Sequence, residues 1–112
     1  MSLSSQPRRV REALAELKRR ISETFPQRLI DLRLFGSRAR GEAREDSDAD
    51  VLVVLDRAGW EERRQVIDLA TDIGLEHDLD LSPTVFDQAT YDRWREQRRP
   101  LLVEIERDGI PP

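Results

Sequence analysis

The sequence predicts an α/β (α+β) layered domain whose small mixed sheet of three or four strands is packed with helices. Three observations carry this. Apolar residues recur first at helical and then at strand spacing, in the order helix, strand, helical turn, strand, helix, strand, helices. The run Ala49 to Leu55 is apolar on both faces, as in the centre of a covered sheet. The 112 residues show no internal repeat, low-complexity tract or interdomain linker, so residues 1–112 are expected to form one domain around one core.

From Pro7 to Phe25, Val10, Leu14, Leu17, Ile21 and Phe25 form one apolar stripe, which predicts an amphipathic helix ended by Pro26. Arg28 to Phe35 alternates as a strand, with Leu29, Leu32 and Leu34 as its inward candidates. Gly36-Ser37 breaks it, and Ser37 is placed to cap a short helical turn that Gly41 stops. After a polar loop, Ala49 to Leu55 is the second strand and the most buried element expected. Trp60 to Ile73 reads as a helix with Val66, Ile67, Leu69, Ala70 and Ile73 inward, Trp60 folding back on the core, and Gly74 as its stop. Leu79 to Phe86 alternates as a third strand, and Pro83 places it near a sheet edge. Asp87 can cap a helix reaching Arg98, and Pro100 to Arg107 is a last short helix. Tyr91, Trp94, Leu101 and Leu102 are expected to pack on the sheet; His77 is expected in a loop.

Composition removes several classes of function. Without cysteine there is no disulfide framework and no thiolate metal site. No apolar run approaches the length of a membrane span and no leader pattern opens the chain, so a cytoplasmic protein with no membrane partner is expected. The net charge of −4 argues against nucleic acid as the main partner, since non-specific binding needs a surplus of Lys and Arg.

Asp48 and Asp50 carry the chemistry. Residues two apart on a strand face the same way with Cα atoms roughly 6.5 to 7 Å apart, so both carboxylates look in one direction at the mouth of an apolar strand. Paired carboxylates there need an offset: a raised pKa, an arginine or a cation. Oxygen donors without Cys, and with a single His in the chain, favour Mg²⁺ or Mn²⁺ over zinc. Asp80, at the start of the third strand, completes a triad if that strand lies beside Ala49 to Leu55; Asp78 competes for the place. Gly36-Ser37 leads a strand into a helical turn, which offers backbone N–H groups and a hydroxyl to a phosphate, with Arg38 and Arg40 just beyond. A phosphate turn followed by a carboxylate pair suits metal-assisted phosphoryl or nucleotidyl transfer.

The stretch Gly36-Ser37-x-x-x-Gly41-x-x-x-x-x-Ser47-Asp48-x-Asp50 resembles the fingerprint of the DNA polymerase beta-like nucleotidyltransferase superfamily. The whole chain is similar to its minimal nucleotidyltransferase (MNT) members, which act as antitoxins of HEPN-domain RNase toxins. The resemblance implies that Gly36 and Ser37 hold the triphosphate of ATP, assisted by Arg38 and Arg40. It implies that Asp48, Asp50 and Asp80 bind two Mg²⁺ ions and are catalytic, and that AMP passes to a hydroxyl, most often a toxin tyrosine. It implies a cognate HEPN toxin as partner in a hetero-oligomer. The alternative is an antitoxin of weak or lost catalysis that neutralises the toxin by covering it.

Overall fold

The computed structural model describes residues 2–112. A single 3-10 turn, Leu3–Ser5, precedes helix α1, Arg8–Thr24. Strand β1, Leu29–Phe35, runs into the one-turn helix α2, Gly36–Ala39. Strand β2, Ala49–Leu55, is followed by helix α3, Trp60–His77, and strand β3, Leu81–Asp87. Helices α4, Gln88–Glu96, and α5, Pro100–Asp108, complete the chain.

The three strands form one mixed sheet in the order β1-β2-β3. β1 pairs antiparallel with β2, Phe35 opposite Asp50, and β2 pairs parallel with β3, Ala49 opposite Leu81. Two antiparallel strands need only a short link, whereas a parallel pair needs a crossover, which α3 supplies. Alternation along β2 separates two cores. Ala49, Val51, Val53 and Leu55 face Leu14, Leu17, Val66 and Ile73 of α1 and α3. Leu52 and Val54 face Tyr91, Leu102 and Ile105 of α4 and α5. β2 is therefore apolar on both sides because helices cover both. Its one half-buried residue is Asp50, which shares the α4/α5 face with Leu52 and Val54.

Several expectations hold to the residue. Val10, Leu14, Leu17, Ile21 and Phe25 are buried, β2 has the anticipated bounds, and the Asp87 carboxylate caps α4 by accepting from Thr90 N–H. β3 is an edge strand, as Pro83 indicated. Tyr91 and Leu102 are buried in the second core, with Trp94 and Leu101 against it.

Others change. α3 does not stop at Gly74 but continues to His77, ending at Asp78 in the left-handed region at φ 52°. Gly74 is there for space: a Cβ would collide with the Leu79 carbonyl oxygen. His77 is thus helical, and its Nε2 lies 2.9 Å from Glu16 Oε2 on α1. Trp60 is 73% exposed instead of folded back, with Arg64 over its ring, and Ile67 is 47% exposed, because Val66, Ala70 and Ile73 supply the buried face. The third strand starts two residues later than expected, which leaves Asp80 just before it. α4 stops at Glu96, and Arg98 takes a left-handed conformation, φ 52°. Among the described residues no helix is long and apolar enough to cross a membrane.

Candidate active site

The end of β1 and the start of β2 meet at Gly36 and Asp50. Gly36 has φ +76°, a conformation costly for any residue with a Cβ, and it is the first residue of α2, with Phe35 at the N-cap position expected for Ser37. A Cβ at Gly36 would collide with Asp50 Oδ2 and lie 3.3 Å from its Cγ. The glycine is therefore fixed twice, by its dihedral angle and by the carboxylate lying against it. Gly41, also at positive φ, 74°, ends the turn as anticipated. Ser37 is half-buried in that turn, its carbonyl accepting from Glu42 N–H at 2.9 Å.

Burial pushes the Asp50 carboxyl above its ordinary range, the neighbouring carboxylates Asp48 and Glu104 push it further, and Arg40 partly offsets them. The anion is thus under-compensated, and the nearby donors are oxygens. A hard divalent cation would fit the chemistry of such oxygen donors.

The two arginines of the turn differ sharply. Arg38, expected at a phosphate, is 3% exposed and faces the following loop. Its Nε donates to Ser47 O at 3.1 Å, and its Nη2 donates to the carbonyls of Ser47 (2.7 Å) and Glu45 (3.2 Å). From the other side, Gln6 Nε2 donates to the Arg38 carbonyl at 2.7 Å. Arg38 therefore holds the loop that leads into Asp48. Arg40 stays at the surface, with Nε 3.0 Å from Glu42 Oε2 and Nη1 2.6 Å from Glu104 Oε1. Neither Gln6 nor Glu104 was singled out from the sequence, since their contacts span 32 and 64 residues.

Asp80 lies on the neighbouring chain segment. Its carbonyl accepts from Ala49 N–H at 2.8 Å, which ties it to the residue between Asp48 and Asp50. The register that pairs Asp50 with Ser82 puts Asp80 abreast of Asp48. Asp80 is exposed and, with Arg9, Arg44, Ser47, Leu75 and Asp78, lines an open cleft of about 790 Å³ between the 44–47 loop and the end of α3, a cleft that Gly36, Ser37, Asp48 and Asp50 do not line. Asp48, Asp50 and Asp80 do not draw together as tightly as Glu16, Glu76 and His77, the trio among the described residues whose ligand atoms lie within 4.8 Å of one another. That trio joins α1 to α3, remote from the Gly36 turn in sequence.

The nucleotidyltransferase domain family matches residues 14–106, a span that includes Gly36, Asp48, Asp50, Asp80 and Glu104. A protein of Methanocaldococcus jannaschii named "putative protein adenylyltransferase" is 34% identical over 100 residues, covering 88% of this chain and 94% of the relative. A solved structure described as a "putative minimal nucleotidyltransferase" superposes with a TM-score of 0.59 at 27% identity, covering 100% of this chain and 97% of the other. With the family's domain matching most of the sequence and its fold reproduced along the whole chain, this protein belongs to the nucleotidyltransferase domain family.

Proposed function

We propose that the chain transfers AMP from ATP to a protein hydroxyl, and that the acceptor is a tyrosine of a cognate HEPN toxin for which it is the antitoxin. The observation that carries the transfer is the contact of Gly36 with Asp50, which sets the glycine turn directly against a carboxylate whose pKa burial and neighbouring carboxylates raise. The relative named for protein adenylyl transfer supports the choice of acceptor class. The acceptor oxygen attacks the α-phosphorus, the bond from phosphorus to the pyrophosphate oxygen breaks, and Asp80 receives the hydroxyl proton. Gly36 and Ser37 present backbone N–H groups to the triphosphate. Two Mg²⁺ ions, or Mn²⁺, on Asp48, Asp50 and Asp80 would neutralise the charge that develops on attacking and leaving oxygens.

Incubation with α-labelled ATP, Mg²⁺ and a lysate of the host tests this reading. Label is expected on one protein band, abolished by a chelator and restored by Mg²⁺ or Mn²⁺; label on RNA or on a small molecule would overturn it. Asp80→Asn is expected to slow transfer by about 10²-fold, the usual scale for a general base. Asp78→Asn should change little, because asparagine also tolerates the left-handed cap conformation that Asp78 holds. The reverse ranking, read as initial rates, would move the third carboxylate to Asp78.

A further inference from the structure

We propose that Glu104 is a positioning residue for the nucleotide: its ion pair with Arg40 sets the guanidinium beside the Gly36 turn in the orientation that meets the phosphates. This rests on the nucleotidyl-transfer reading above and concerns a residue on α5, far from the motif in sequence.

With Arg38 spent on the carbonyls of Glu45 and Ser47, Arg40 is the guanidinium of the turn left to face a ligand. It is held from two sides, by Glu42 two residues along the chain and by Glu104 from a helix 64 residues away. Those pairs engage Nε and Nη1, and Nη2 takes part in neither. A free arginine samples many rotamers, and one held at two nitrogens keeps its remaining N–H groups aimed in one direction, which is how preorganisation raises affinity.

Glu104 has a rigid base. Its neighbours Leu102 and Ile105 are fully buried in the α4/α5 core. Just beyond α5, Ile110 exchanges two 2.8 Å backbone hydrogen bonds with Leu34, two residues before Gly36. Glu104 and the turn thus ride on one frame. Exposed ion pairs add little to stability, so this one is better explained by where it puts Arg40 than by what it adds to the fold. Glu104 also lies near enough to act on the Asp50 charge, which links helix, arginine and carboxylate into one electrostatic group.

The test compares Glu104→Gln, Glu104→Asp and Arg40→Gln with the parent in ATP transfer and in calorimetric binding of ATP with Mg²⁺. Glu104→Gln is expected to raise the KM and Kd for ATP about tenfold with kcat nearly unchanged, the pattern of lost uniform binding. Glu104→Asp should recover part of the loss, and Arg40→Gln should add little on top of Glu104→Gln, since both remove one interaction. Melting temperatures should stay alike across the set. An unchanged ATP affinity in Glu104→Gln overturns the proposal, and a tighter one shows that Glu104 competes with phosphate for Arg40. A parent that binds ATP but transfers nothing sinks the transfer reading, while the Kd comparison still decides the role of Glu104. A parent that does neither sinks both.

Discussion

The Asp48→Asn/Asp50→Asn double variant is expected to lose nucleotidyl transfer by about 10³-fold or more, because the charge stabilisation that bound metal supplies is worth several kcal/mol. The same variant is expected to melt at a higher temperature than the parent at neutral pH. Burial and two neighbouring carboxylates raise the Asp50 pKa in the folded protein. The folded state then binds this proton more tightly than the unfolded chain. Stability linked to Asp50 is therefore present below the unfolded carboxylate pKa and is lost as pH rises through the raised folded value. Asparagine removes that loss, so the gap between variant and parent should widen from acid to neutral pH. Mg²⁺ should raise the melting temperature of the parent and not of the variant. Transfer at the parental rate would remove these residues from the metal site; equal melting curves at every pH would show that Asp50 carries no buried charge. If the variant still silences the proposed toxin partner, neutralisation runs through binding.

Gly36→Ala should cost both stability and rate. Holding alanine at a left-handed φ costs roughly 1–2 kcal/mol. The new methyl also meets Asp50 Oδ2, the mobile end of a side chain, so the fold can yield by turning the carboxylate away. A misplacement on the order of 1 Å in a reacting site can lower the rate about 10²-fold. The expected result is a folded protein with a lowered melting temperature, slow transfer and weak Mg²⁺ protection. Full activity in a folded Gly36→Ala would show that the contact with Asp50 has no part in the chemistry.

Much of this was legible in the chain because it is local. The bounds of β2 follow from an apolar run between Asp50 and Asp56, the cap of α4 from Asp87, and the glycine turn from its dihedral demands. The closeness of Gly36 to Asp50 follows from the antiparallel register that sets Phe35 opposite Asp50. What the sequence hid depends on partners distant along the chain. Gly74 has the look of a helix stop, yet it admits the Leu79 carbonyl against an unbroken helix. Arg38 and Arg40 are alike as letters; burial under Gln6 and the 44–47 loop turns one into a structural clamp. His77 shows no local sign of its pairing with Glu16, 61 residues earlier. Glu104 sits among apolar residues of a short helix, and no spacing rule connects it to a turn across the fold.

The backbone bridge between Leu34 and Ile110 also bears on how copies of this protein meet. A sheet of three strands has two borders, and each is a template on which another chain can add a strand. At the β1 border the Leu34 N–H and C=O are already occupied by the C-terminal segment. At the β3 border Pro83 has no N–H to offer. Growth of the sheet from one molecule into the next is blunted at Leu34 on one border and at Pro83 on the other, which disfavours strand addition at those positions.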